Sequence, residues 1–347
     1  MLESTNWLYM YMPIAGVYIF WPGLVLIGFS VGVIGGFFGM GGAWMVTPGL
    51  NILGFPMAFA IGTDIAHIAG KSMVSTIRHA KFGNVDYKLG IVMLAGTMVG
   101  IEIGAQIVMF LERLGMVGSV VRWVYVVFLA LIVLMVFGDY HKAVKKKKQG
   151  EVGEKGAEGF TWYKTLHKIN IPPMIHFKAS GFTCSGWLPI LVSLLTGILA
   201  GFLGIGGGLL RMPALVYLIG CPTHIAVGTD LFEVMISGLY GAFTYAYKGR
   251  IELVAVFVML TGAAIGAQIG TVATKYSQGY GIRILFGIAV LCCMLSIILK
   301  QFGLSLPSAV LILSAITIIC LVIIRIMIRG AIQELREKKA NAANNNN

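Results

Sequence analysis

Two glycine clusters in this chain sit where apolar sequence is broken and charge is near. Gly36, Gly39, Gly41 and Gly42 precede a short apolar stretch at 43–53, and Gly201, Gly204, Gly206 and Gly207 precede another that opens with Gly208, at 208–219. Such breaks leave backbone N–H groups bare, and the positive end of the helix that follows attracts an anion. A phosphate loop of the Walker or dinucleotide type fails its structural condition, because no Lys-Ser/Thr follows and no strand pattern precedes. In lipid a bare N–H must find a partner, and an anion supplies one. The plainer reading is that the glycines only let helices pack closely.

Charged residues near the clusters narrow the chemistry. Arg211 stands in the first turn of the second short stretch, where its planar fork suits an oxyanion. His67, Lys71 and Arg78, separated by 4 and 7 residues, share one helical face, and charge at membrane depth is rare without a function or a partner. Lys71 reads either as a substrate ligand or as the ion-pair partner of Asp64 or Glu102. Asp64 and Asp230 each follow Gly-Thr, a setting for helix capping or for holding a proton or cation.

The expected substrate-binding set is therefore Gly39, Gly41, Gly42, Lys71, Gly204, Gly206, Gly207, Gly208 and Arg211. The coupling or gating candidates are Asp64, His67, Glu102, Asp230, Glu233 and Gln268. No catalytic or metal set emerges: the five cysteines form no CxxC pair and have no His-rich partner spacing. No cofactor is expected. An enzyme or redox subunit would want paired histidines on facing helices, and His67 stands alone.

Residues 32–64 and 197–230 are copies of one another. With one residue inserted near Ile219, 15 of 33 positions are identical, including Pro48/Pro213, Pro56/Pro222 and the closing Gly-Thr-Asp. The copies differ at Val46/Arg211, His67/Glu233, Lys71/Ser237 and Glu102/Gln268. Duplicated, Gly/Pro-interrupted apolar segments point to the binding site of a repeat-built membrane transporter.

The elements that carry these residues are membrane spans. The 347 residues are 58% hydrophobic and 12% charged, with mean hydropathy +0.87, too apolar for a soluble globule. Stretches long enough to span run over 14–38, 57–80, 88–111, 117–138, 188–204, 223–247, 253–274, 281–300 and 307–328. The pieces 43–53 and 208–219 read as half-helices. The fold expected is all-α: a polytopic transmembrane bundle of two homologous, inverted repeats.

Its parts are an N-terminal repeat at 1–138, a basic loop at 139–187, a C-terminal repeat at 188–300, an added helix at 301–330 and a disordered tail at 331–347. The net charge of +12 raises nucleic acid as a partner, but the positive residues flank spans. Residues 139–187 hold nine lysines and four acids, so the positive-inside rule puts that loop and the basic C-terminus in the cytoplasm, facing anionic lipid. Each repeat then crosses an odd number of times and its copy lies upside down, with the N-terminus outside; parallel repeats are the alternative. Lys248 and Arg250 fall outside on this count, against the rule. No secretory signal is evident, and oligomeric state is unreadable.

The duplicated GxxGxGG...P...A.GTD signature, at Gly36–Asp64 and Gly201–Asp230, resembles the TauE/SafE sulfite exporter family over roughly 22–138 and 188–300. The resemblance implies a bacterial inner-membrane carrier for sulfur-containing anions: sulfite, sulfoacetate or other organosulfonates. The mechanism expected is alternating access, one half rocking against the other, with a proton or other ion as a coupling partner. An anion channel, or a carrier of thiosulfate, sulfate or another small organic anion, is the alternative. The long insertion at 139–187 and the extra helix at 307–328 depart from the family's pattern.

Overall fold

The computed structural model describes residues 7–38, 43–148, 171–275 and 280–344. In lipid only structures that satisfy their own backbone persist, and the described chain is mostly helix. The first repeat contains β1 (Tyr9–Met12), β2 (Val17–Phe20), α1 (Trp21–Phe38), α2 (Val46–Leu53), α3 (Met57–Lys81), α4 (Tyr87–Arg113) and α5 (Val117–Lys148). The second contains β3 (Met174–Phe177), β4 (Phe182–Ser185), α6 (Trp187–Leu203), α7 (Gly208–Ala214), α8 (Thr223–Tyr247), α9 (Leu253–Lys275) and α10 (Tyr280–Gln301); α11 (Ser305–Asn344) follows. Five of these helices are long and apolar enough to cross a membrane, and stretches within α1, α6 and α10 are apolar but shorter.

Both half-helices occur where the apolar pattern predicts them. A 3₁₀ turn at Ala43–Met45 leads into α2, and α7 continues as a π turn over Leu215–Ile219. Three expectations are corrected. Residues 14–20 belong to a hairpin turning at Gly16 (φ 67°), not to the first helix. The basic loop is shorter than 139–187, since α5 runs to Lys148 and β3–β4 occupies 174–185; residues 149–170 lie outside the described ones. The tail is helical through Asn344, its Ala, Glu, Lys and Gln residues being good helix formers.

The hairpins are part of the duplication. β1–β2 and β3–β4 are both antiparallel, turn at a left-handed glycine (Gly16, Gly181) and share the same burial alternation in their first strands. Each directly precedes the first helix of its repeat.

The repeats grip each other rather than standing side by side. A Cβ placed on Gly28, Gly32 or Gly36 of α1 would fall 2.2–2.7 Å from the carbonyl oxygens of Met259, Ala263 or Ala267 of α9. Gly96, Gly100 and Gly104 of α4 meet Ile190, Leu194 and Ile198 of α6 in the same way. Both pairs run parallel, and both are small-xxx-small contacts that let backbones touch. Between them α3 and α8 cross antiparallel: Gly62 meets Tyr245, Ile65 meets Gly241 and Ala69 meets Gly238. Within the first repeat α2 turns back along α1, with Gly49 at Ile27 and Leu53 at Gly23.

The Gly-Thr of each Gly-Thr-Asp serves this grip. A Cβ on Gly62 would strike Arg250 O at 2.2 Å, and one on Gly228 would strike Asn84 O at 2.0 Å, so each glycine seats the connecting turn of the other repeat. Thr63 Oγ1 accepts from Glu252 N (3.0 Å), and Thr229 Oγ1 accepts from Asp86 N (2.9 Å). Those two acids are equivalent, and each clamps the opposite repeat's hairpin. Glu252 Oε2 accepts from Ile14 N and Ala15 N (2.9 and 3.1 Å). Asp86 Oδ2 accepts from Ser180 N and Oγ (3.0 and 2.7 Å), while its Oδ1 caps α4 at Leu89 N.

Outside this core α5 and α10 pair antiparallel, with Arg122 Nε and Ser119 Oγ bonded to Gln301 at one end and Gly287 facing Val136 and Phe137 further along. α11 packs on α10 and is tied by Ser296–Ser308 bonds.

Candidate functional site

The interior of the α3–α8 crossing is charged. Asp64, His67, Arg211 and Glu233 have 0% exposure, Asp230 8% and Ser237 2%. Asp64 lies on α3 two residues after the glycine that seats the opposite turn, so it points inward where Thr63 points across. Its Oδ2 accepts from Thr47 N (3.0 Å) and Thr47 Oγ1 (2.8 Å). It therefore occupies the electropositive start of α2, and a carboxylate of the chain stands where the sequence expectation put a guest anion.

One turn on, His67 Nδ1 is 3.8 Å from Asp64 Oδ1. Among the described residues that oxygen, both His67 ring nitrogens and Trp44 Nε1 have no hydrogen-bond partner. An orphaned buried polar atom costs about 1–3 kcal/mol, so the Asp64–His67 pair carries unmet hydrogen-bonding capacity. Lys71 lies partly buried a further turn along α3. Of the two partners considered for Lys71, Glu102 is engaged elsewhere, by Lys248.

The second repeat puts a buried arginine at the matching place. Arg211, the fourth residue of α7, forms an ion pair with Glu233 Oε2 and stands 3.4 Å from Asp230 Oδ1. Its fork also reaches Thr196 Oγ1 of α6 (3.3 Å) and Thr97 Oγ1 of α4 (3.5 Å). Ser237 Oγ donates to Glu233 Oε2 (3.4 Å), and Glu233 Oε1 has no partner among the described residues. Four helices, three from the second repeat and one from the first, converge on one guanidinium.

The second glycine loop joins the two clusters. Gly204, Gly206 and Gly207 adopt φ of 80°, 64° and 75°, which side-chain-bearing residues rarely do. A Cβ on Gly204 would lie 2.5 Å from Thr47 Oγ1, one on Gly207 2.6 Å from Arg211 Nη2, and one on Gly208 2.9 Å from Asp230 Oδ2. Gly206 meets Ile68 of α3. The loop thus runs from the Asp64 cluster to the Arg211 cluster, and bare backbone is what fits there. Tyr125 Oη, donating to Leu203 O (2.5 Å), fixes its beginning.

Several expected residues fall elsewhere. Glu102 is on the flank of α4, bonded to Gln106 and paired with Lys248 Nζ at 3.0 Å; Gln268 is exposed on α9. Neither belongs to the interior cluster. Gly36 and Gly201 pack helices. Gly39, Gly41 and Gly42, and the Arg78 side chain, lie outside the described residues. Thr47, Thr97, Thr196 and Trp44 were not foreseen, because a lone threonine or tryptophan in an apolar helix carries no spacing signal. Lys248 and Arg250, which broke the charge rule, are matched by carboxylates: Arg250 pairs with Glu112 (2.9 Å) and lies over the Phe59 ring.

Apolar helices in this number, closed around buried charge, define a multi-pass membrane protein of the transporter class. The chain belongs to the sulfite exporter TauE/SafE family, whose model matches residues 24–297. It is similar to the probable membrane transporter protein YunE of Bacillus subtilis, 26% identical over 74% of this chain and 89% of that one. It is also similar to a probable membrane transporter protein of Xylella fastidiosa, 26% identical over 80% of this chain and 93% of that one. The probable membrane transporter protein MJ0441 of Methanocaldococcus jannaschii is 25% identical, over 65% and 72% respectively. No solved structure matches the chain significantly.

Proposed function

We propose that this transporter carries small sulfur-containing oxyanions, sulfite or organosulfonates, across the bacterial inner membrane by alternating access at the α3–α8 crossing. The observation that carries the reading is Arg211: a fully buried guanidinium held by hydroxyls and carboxylates of several helices, beside a Glu233 Oε1 that has no partner among the described residues. An oxyanion would take the arginine fork together with Lys71 and N–H groups of the glycine loop. The antiparallel crossing of α3 and α8 supports repeats inverted about an axis in the membrane plane. The basic segments after α5 and at the end of α11 support a cytoplasmic placement for both.

The test is a calorimetric and thermal-shift panel of sulfite, sulfate, thiosulfate, sulfoacetate, isethionate and methanesulfonate on purified protein, with counterflow in liposomes. Binding of an oxyanion that Arg211→Ala abolishes, with saturable counterflow, is the expected result. Binding of none of them alongside firm binding of a cation or neutral solute would overturn the reading. Ohmic single-channel currents would replace the carrier by a pore.

A further inference from the structure

The charges around Arg211 do not leave it free for an anion. Among the described residues, the ionisable groups at the interior of the crossing are Asp64, Lys71, Arg211, Asp230 and Glu233, with His67 beside them. That is three carboxyl groups against two basic side chains and one imidazole, gathered in a low dielectric. A free anion entering it is repelled by each carboxyl that is ionised, and the same setting makes that repulsion large. The guanidinium is already engaged by Glu233 and Asp230, so a guest must displace a carboxylate, and a displaced buried carboxylate without a cation is strongly disfavoured.

Glu233 is the group placed to yield. Its Oε2 holds the guanidinium and accepts from Ser237 Oγ, while its buried Oε1 has no partner among the described residues. A proton on this carboxylate removes the charge that competes with the guest. The groups facing it are Arg211 from α7, Asp230 and Ser237 on α8 itself, and Thr97 and Thr196 on the guanidinium's far side. Asp64, His67 and Lys71 lie on α3, which packs against α8. Asp230 remains to hold the guanidinium while the guest is bound.

We propose that Glu233 and the transported anion compete for Arg211, so that each anion binds with one proton taken up by Glu233. This rests on the assignment of Arg211 as an anion ligand. The proton comes from solution and adds to the carboxylate; no bond of the guest breaks. In the anion-free state Glu233 is ionised and closes on Arg211, and in the loaded state it is neutral and the anion has taken its place. Transport is then anion–proton coupled and the second repeat does the coupling, since the first repeat has His67 where Glu233 stands.

The experiment uses methanesulfonate, an anion that stays ionised throughout the working pH range, so any proton taken up lands on the protein. Calorimetry on the purified full chain in buffers of different ionisation enthalpy counts that proton. About one proton per anion is expected, with affinity falling about tenfold per pH unit once Glu233 is ionised in the free protein. Glu233→Gln should bind methanesulfonate with no proton uptake and no such pH dependence. Wild-type binding without proton uptake overturns the proposal and leaves the anion site standing. Unchanged proton uptake in Glu233→Gln also overturns it, and the wild-type measurement decides the matter should that variant not fold. Failure of every oxyanion to bind wild-type protein removes the anion site itself.

Discussion

At the residue scale the interior is a set of polar groups whose partners come from distant sequence. Arg211→Lys keeps the charge but loses the fork that spans Thr97, Thr196 and Glu233. We expect folded protein with transport at least about tenfold lower, a loss of roughly 1.4 kcal/mol or more in transition-state binding, measured as initial rates in liposomes. Wild-type rates would remove bidentate recognition from the mechanism. Thr63 is a different type of residue, since its hydroxyl serves the fold. Thr63→Val leaves Glu252 N without its acceptor, at a cost of about 1–3 kcal/mol. A lowered melting temperature with unchanged anion affinity is the expected pattern, and Thr229→Val should repeat it through Asp86 N.

At the element scale the glycines divide into two jobs. Those at intervals of four on α1, α4, α6 and α9 bring helices of opposite repeats into backbone contact, and those at 204, 206 and 207 permit a left-handed loop. Gly100→Ala sets a methyl 2.4 Å from Leu194 O, in contact with backbone that cannot rotate aside. Overpacking costs about 1–3 kcal/mol where neighbours can relax, and here two helices must part. We expect a marked loss of monodisperse protein on size-exclusion chromatography, whereas Gly138→Ala, with no described atom within 4 Å of the added methyl, should behave as wild type. The hairpin clamps belong to this scale too. Asp86→Ala releases Ser180 and uncaps α4, and faster amide exchange over 174–185 is the measurable result.

At the scale of the whole molecule the repeats are interlaced, which changes what can move. Because α1 is zipped to α9 and α6 to α4, with each hairpin clamped by the other repeat, the sequence halves do not form separate bodies. We propose that, if the transporter works by alternating access, the moving bodies are drawn from both halves rather than one half rocking against the other. A disulfide between Asp86→Cys and Ser180→Cys, made with Cys221 replaced because it stands 3.6 Å from Ser180, should therefore leave transport largely intact. Arrest of transport by that bond would return the moving parts to the two halves.

Composition and periodicity by themselves determined the membrane helices, the two half-helices and the duplication, because burial in lipid imposes long apolar runs and an unwound break demands glycine. They also singled out Asp64, His67, Lys71, Asp230, Glu233 and Arg211, since charge inside an apolar run is conspicuous on the page. Pairing was decided only in three dimensions. Asp64 turns out to cap α2, Glu233 to hold Arg211, Glu102 to lie on a flank with Lys248, and the Gly-Thr before each aspartate to bind the opposite repeat. Partners separated by more than a hundred residues, as Thr97 and Arg211 are, leave no spacing signal in one chain. The hairpins were hidden for a related reason: a four-residue strand beside an apolar helix reads as its first turn until a partner strand is beside it.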